Sequence, residues 1–65
     1  LKTMQVSEVK SAFGKIVNYA GGKYRLTAYI LRSRSGKLLY QLELSDLKAN
    51  SVLIAPMEEV EYTSD

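Results

Sequence analysis

The chain has 65 residues, with nine Lys and Arg against seven Asp and Glu, and contains neither cysteine nor histidine. This length holds one small domain with a thin core, and the missing residue types exclude disulfide bonds and the usual zinc sites. A domain without such cross-links depends on packing or on a partner chain, so self-association is a reasonable expectation. Its mild net charge of +2 does not by itself indicate a nucleic-acid partner.

A cytoplasmic location is expected. No apolar run approaches the roughly 20 residues that are needed to cross a bilayer, and the N-terminal residues lack the charged segment followed by an apolar segment that is typical of a signal peptide.

The charges are unevenly distributed: all nine cations lie in residues 1–50, whereas residues 51–65 hold four acids and no cation. Either the acidic end folds beside the basic strands and neutralises them, which is the more ordinary outcome, or the surface keeps one basic face.

The first predicted element is a short helix over about residues 7–13, with Ser7 as its N-cap and Gly14 just past its end. Apolar residues inside this segment recur at helical spacing. The periodicity also permits a longer helix to Ala20. A glycine inside a helix costs about 1 kcal/mol, however, and the β-prone run that follows favours a strand at about residues 15–19.

Four more strands are predicted from alternating or β-branched runs bounded by turn residues. Pro56 ends the third of them because proline cannot donate to a central ladder. A tight turn, with 3₁₀ geometry as one option, is expected at residues 57–59. The four strands cover about residues 24–33, 37–45, 51–55 and 60–62.

The first two of these strands form a long hairpin whose register depends on its turn. A two-residue turn at 35–36 would set Ile30 opposite Gln41 and mix apolar with polar side chains on each face. A three-residue loop at 34–36 instead sets Ile30 opposite Tyr40, and it places the glycine at the left-handed position that such a loop requires. The predicted register follows the three-residue loop, and it also pairs Ala28 with Leu42 and Leu26 with Leu44.

This register divides the hairpin into a core face and an opposite face. On the opposite face Tyr29, Leu31 and Leu39 form a cluster that is too apolar for free exposure. Either the N-terminal helix covers the cluster, or a second copy or another protein does, and the sequence favours neither. The predicted core consists of Leu26, Ala28, Ile30, Leu38, Tyr40, Leu42 and Leu44, joined by Val52, Ile54 and Val60.

The expected fold class is mainly β: a small five-stranded antiparallel SH3-like barrel or curled sheet with one short N-terminal helix. The barrel is an analogy from the order of elements, above all the tight turn before the last strand. The residues alone require only a small antiparallel sheet that must curl or pair to bury one face.

Four segments carry a resemblance to a known group of proteins. They are GKIVNY at 14–19, YRLTAYILR at 24–32, YQLEL at 40–44 and NSVLI at 50–54. Over about residues 14–62 the chain resembles short uncharacterised proteins encoded on mobile elements of Gram-positive gut bacteria. The resemblance implies a cytoplasmic accessory protein of a conjugative or phage-like element, and it carries no catalytic or binding residue across.

Catalysis is not expected, because without His and Cys the side chains available for acid–base and nucleophilic chemistry are hydroxyls, lysines and carboxylates. Glu59 and Glu61 are close in sequence but are better explained as a solvated edge than as a metal site. The run at Gly21 and Gly22 lacks the spacing of a phosphate loop and is predicted as a hairpin turn. No catalytic residue, cofactor or metal ligand is predicted.

The predicted function is that of a non-catalytic binding or adaptor module whose partner is a protein, including a second copy, bound through Tyr29, Leu31 and Leu39. The alternative is a nucleic-acid-binding barrel led by Arg32, Arg34 and Lys37 on the hairpin. In that alternative the interleaved tyrosines Tyr24, Tyr29 and Tyr40 supply rings for base stacking, although the predicted register places Tyr40 in the core and so counts against it. Neither the partner's identity nor a choice between DNA and RNA follows from the residues.

Overall fold

The computed structural model describes residues 2–62, with side chains from Met4 onward. Six strands, one α-helix and one 3₁₀ turn make up this part of the chain. They are β1 (Lys2–Thr3), α1 (Val6–Ala12), β2 (Ile16–Tyr19), β3 (Gly22–Arg34), β4 (Lys37–Asp46), β5 (Val52–Pro56), the 3₁₀ turn (Met57–Glu59) and β6 (Val60–Tyr62).

All the strands belong to one antiparallel sheet with the order β1-β6-β2-β3-β4-β5. The mainly β class with one short helix is therefore confirmed. Within residues 2–62 the sheet is open, because its outermost strands β1 and β5 pair with only one neighbour each. The two-residue strand β1 comes in addition to the five strands that were expected.

The helix begins one residue earlier than predicted, at Val6. Its N-cap is Gln5 and not Ser7, and the Gln5 backbone N–H donates to Glu8 Oε1 at 2.9 Å. Gly14 follows the helix with a φ of +78°, as expected for a glycine that ends a helix. The Gly14 N–H donates to the carbonyl of Leu26 on β3 at 2.8 Å. The longer helix does not form, because this glycine leaves the helical region and the following residues pair as β2.

The turn between β3 and β4 has two residues. Ser35 and Gly36 have φ values of +52° and +77°, and Arg34 pairs with Lys37 across the turn. Two successive positive φ values are typical of a type I′ turn, whose twist matches that of the flanking strands. The left-handed glycine was predicted correctly, whereas the three-residue loop was wrong.

A β-bulge at Thr27 reconciles this turn with a buried apolar row. Leu26 pairs with Leu44 as predicted, and the ladder then shifts by one residue so that Ala28 lies opposite Glu43. The extra residue changes which side chains beyond it face the core. Thr27 Oγ1 donates to the Glu43 carbonyl at 3.1 Å and to Glu43 Oε2 at 2.8 Å. Two predicted pairs, Ile30 with Tyr40 and Ala28 with Leu42, are wrong as a result.

The core lies between α1 and one face of the sheet, where the helix contributes Val9 and Ala12. On β5 the inward residues are Leu53 and Ala55, because they lie opposite Leu44 and Leu42. The buried set is Met4, Val9, Ala12, Val17, Leu26, Leu42, Leu44, Ala55, Val60 and Tyr62. Of the predicted core, Leu26, Leu42, Leu44 and Val60 are buried, Ala28, Ile30 and Tyr40 are half-buried, and Leu38, Val52 and Ile54 are exposed.

Candidate binding surface

The far end of the β3–β4 hairpin extends beyond the core. No residue from Thr27 to Gln41 is buried, although β3 has 13 residues and β4 has ten. We call residues 29–41 the distal hairpin. Its side chains alternate between a core-side face, continuous with the face that packs under α1, and an outer face. Both faces carry apolar groups in contact with solvent.

The core-side face of the distal hairpin carries two leucines and two tyrosines. Leu31 lies opposite Tyr40, and Tyr29 lies opposite the buried Leu42. Leu31 is 52% exposed and Leu38 is 58% exposed, whereas the two tyrosines are half-buried. This apolar strip therefore continues the core past the point where another element covers it.

The outer face combines apolar and basic side chains. Leu39 lies opposite Arg32, and Ile54 on β5 lies beside the same face at 44% exposure. Arg32 Nε donates to Gln41 Oε1 at 2.8 Å, which holds this guanidinium along the sheet. A shallow depression on this face is lined by Arg32, Ser33, Arg34, Leu39, Gln41 and Ile54.

The predicted cluster of Tyr29, Leu31 and Leu39 does not lie on one face. Tyr29 and Leu31 are on the core-side face, and Leu39 is on the outer face. The reason is the bulge at Thr27, which reverses the orientation of β3 relative to the predicted register while β4 keeps its own. The binding role of these residues remains a prediction, but their grouping changes.

Leu38 and Tyr40 were predicted to lie in the core, whereas Leu38 is exposed and Tyr40 is half-buried, because the hairpin extends beyond the core. The orientation of β3 in this hairpin did have a signal in the sequence. The Ser35-Gly36 dipeptide suits a two-residue turn, and that turn conflicts with the apolar alternation unless one residue of the hairpin is extra. The conflict itself pointed to a bulge.

The helix does not cover the distal hairpin. Its buried residues are Val9 and Ala12, while Val6 and Phe13 are 49% and 44% exposed. The end of the helix is held near Leu26, where Arg25 Nη1 donates to the Gly14 carbonyl at 2.6 Å. Of the two alternatives for the hairpin cluster, the one in which the helix lays Val6, Val9 and Phe13 across it does not occur, because this attachment fixes the helix at the other end of β3.

The three predicted nucleic-acid residues do come together. Arg34 lies opposite Lys37, and Arg32 lies two residues away on the same outer face. The tyrosines are not interleaved with them. Tyr29 and Tyr40 lie on the core-side face, and Tyr24 packs edge-on against Tyr19 with ring centroids 6.2 Å apart. The basic cluster thus lacks the aromatic platform on which bases stack.

Two acidic residues near the end of the chain lie in different places, and Asp65 lies outside the described residues. Glu58 lines a depression beside Leu38 and Tyr40, whereas Glu61 on β6 lies opposite Asn18. Of these two carboxylates, Glu58 is the one beside the distal hairpin. In residues 2–62 no group of three or more acidic, His or Cys side chains is arranged to hold a metal ion.

The turn after β4 is organised by one carboxylate. Asp46 Oδ1 accepts the backbone N–H groups of Lys48 at 2.8 Å and Ala49 at 3.0 Å. These two hydrogen bonds, the one from Lys48 first, lower the pKa of Asp46 below its ordinary value. The role of this carboxylate is structural, because it satisfies the turn that leads into β5.

No protein-family model matches the chain, and neither a curated protein nor a solved structure is significantly similar to it. In the described part of the chain, none of the helices has the length and apolar character that a membrane crossing requires.

Proposed function

We propose that the protein is a non-catalytic binding or adaptor module that acts through protein–protein contacts at the distal hairpin, including contacts with a second copy. The observation that carries the proposal is the exposure of Leu31 and Leu38 on a strip that continues the core. Burying such a strip is favourable by roughly 25 cal/mol for each Å² of apolar surface. The neighbouring tyrosines support the proposal, because tyrosine is enriched at protein interfaces.

We also propose that the sheet is a variant of the SH3-like barrel. Without β1, its strand order is β6-β2-β3-β4-β5, and a 3₁₀ turn separates β5 from β6. This order and this turn support the assignment, although the sheet remains open in the described residues. In such an arrangement the distal hairpin projects from one end, where it is free to meet a partner.

The runner-up is nucleic-acid binding by Arg32, Arg34 and Lys37. The shared outer face of these three cations supports it, and the position of the tyrosines on the other face counts against base stacking. Charge reversal of all three is expected to weaken oligonucleotide binding, and the affinity of the unmodified protein should fall steeply with salt. Fluorescence anisotropy with no binding at low salt would remove this alternative.

The proposed function is tested by the solution mass of the protein and of one variant. Leu31→Glu is expected to abolish self-association and leave the fold intact, because Leu31 is already 52% exposed. Leu47→Glu is the matched control, since Leu47 is 49% exposed on the turn after β4. Both variants are compared by sedimentation equilibrium, with circular dichroism to check the fold.

Three results contradict the self-association version of the proposal. They are a monomeric unmodified protein at high micromolar concentration, an unchanged mass for Leu31→Glu, and an equal loss of association in the Leu47→Glu control. The last of these would show that added negative charge matters and the position does not.

A further inference from the structure

We propose that β5 pairs antiparallel with β5 of a second copy, about a two-fold axis at Leu53. The surface is the free edge of the sheet, and the partner is this same chain. The inference goes beyond the proposed function, because it uses main-chain groups of β5 and no residue of the distal hairpin.

The hydrogen-bond pattern of β4 and β5 shows which groups are free. The Asp46 N–H donates to the Ser51 carbonyl at 2.8 Å, in line with the register of the two strands. In an antiparallel ladder such bonded pairs alternate with non-bonded ones. Every second residue from Ser51 therefore bonds to β4, and Val52 and Ile54 between them point their N–H and C=O groups outward. In residues 2–62 no other strand pairs with β5.

This edge has few of the features that usually prevent strand pairing. Edge strands are commonly protected by charged side chains, by proline or by a bulge. β5 carries no charged residue, and its proline stands at the last position. Val52 is 60% exposed and Ile54 is 44% exposed. Four consecutive uncharged residues, three of them large and apolar, thus precede the proline.

The register follows from the two ends of the strand. If Ile54 paired with its own copy, Val52 would lie opposite Pro56, which has no N–H to donate. If Val52 paired with its own copy, the next bonded pair would need Asn50, whose φ of +53° is not extended. Pairing Val52 with the partner's Ile54 avoids both problems. Four main-chain hydrogen bonds then form around a central, non-bonded pair of Leu53 residues.

The side chains agree with this register. Val52 and the partner's Ile54 become direct cross-strand neighbours on the outer face, and each such apolar pair is favourable. Because the strands are antiparallel, the end of β5 that precedes the exposed Glu58 approaches the turn that carries the partner's Lys48. The contact is isologous, so it closes at two copies. An interface this small is expected to be weak, so that the dimer dissociates on dilution.

The first test compares solution masses. Ile54→Lys puts a charge on the free edge without touching the core, and it is expected to raise the dimer dissociation constant at least about tenfold. Val6→Lys, on the helix and away from β5, is the matched control at similar exposure, since Val6 is 49% exposed. A monomeric unmodified protein at several hundred micromolar overturns the proposal, and leaves the edge for a strand from another protein. So does a dimer that Ile54→Lys does not weaken.

The second test uses the absence of cysteine from the sequence, so that one introduced thiol reacts only with its own copy. Two Leu53→Cys residues would lie about 4.5 Å apart at Cα, within the range of a disulfide. Two Ile54→Cys residues would be diagonal neighbours at about 7–8 Å, beyond easy reach. Under mild oxidation the Leu53→Cys dimer should form at least about tenfold faster than the Ile54→Cys dimer.

This order is the reverse of what exposure alone predicts, because Leu53 is half-buried and Ile54 is exposed. Equal rates, or faster reaction of Ile54→Cys, would therefore overturn the register. Circular dichroism shows whether Leu53→Cys folds, and the mass comparison does not depend on that variant.

The proposal for the β5 edge and the proposal for the distal hairpin can be refuted separately. A dimer that Leu31→Glu dissociates and Ile54→Lys does not would refute the edge pairing and support the proposed function. The opposite result would support the edge and remove the hairpin as the surface for self-association.

Discussion

The turn between β3 and β4 provides a direct test of the hairpin register. Ser35 and Gly36 both have positive φ values, and Asn-Gly is the dipeptide most favoured where both central residues of a turn are left-handed. We therefore expect Ser35→Asn to stabilise the protein and Gly36→Ala to destabilise it. In a three-residue loop only the glycine would be left-handed, and the gain from asparagine would not occur.

The magnitudes follow from the conformation of each residue. A left-handed residue other than glycine costs about 1–2 kcal/mol, and asparagine tolerates this region better than serine, so Ser35→Asn should recover about 0.5–1 kcal/mol. A Cβ added at Gly36 would meet nothing within 4 Å, so its cost is purely conformational. Strain of about 1–2 kcal/mol, reduced by about 0.4–1 kcal/mol through the less flexible unfolded chain, gives a net loss of about 1 kcal/mol.

Urea denaturation followed by circular dichroism measures both changes, at one protein concentration because association would shift the apparent stability. In thermal melts 1 kcal/mol corresponds to about 4–8 °C for a domain of this size. Ser33→Asn, at an exposed strand position two residues away, is the matched control and should be slightly destabilising. The two-residue turn is refuted if Ser35→Asn gives no gain over Ser33→Asn.

Three further predictions concern the core, a carboxylate and the helix attachment. Leu42→Ala should lower the free energy of unfolding by about 2–5 kcal/mol, enough to unfold a domain of this size. Leu39→Ala on the outer face should lower it by less than about 1 kcal/mol. Similar losses for the two variants in urea denaturation would contradict the assigned faces. The folded-state pKa of Asp46 is lowered from 3.8 by the backbone N–H groups of its turn, so its stabilising contribution is complete above about pH 4 and is lost as the pH falls through the lowered folded value. Urea midpoints between pH 2 and 6 should therefore fall less steeply in Asp46→Asn than in the unmodified protein, and parallel curves would argue against this role. Arg25→Met removes the hydrogen bond to the Gly14 carbonyl and should cost about 1 kcal/mol, with amide exchange rising first in the helix; unchanged exchange there would show that packing alone holds it.

The positions of most elements were predictable from the residues, because the signals for them are local. Alternation located the strands of the hairpin, Gly14 marked the end of the helix, and Pro56 marked the tight turn before the last strand. The left-handed conformation of Gly36 was also predictable, since only turns that need such a residue join two strands so closely.

The face that each side chain occupies depends on how the strands pair in the assembled sheet. A strand has a period of two, so one extra residue at Thr27 is enough to reverse the orientation of everything beyond it. The bulge is stabilised by Glu43, which is 16 residues away in sequence, and β5 takes its orientation from its pairing with β4. Such pairings are long-range, and no window of neighbouring residues contains them. The separation of Leu39 from Leu31, and the free edge at Ile54, therefore became visible only once the strands were assembled.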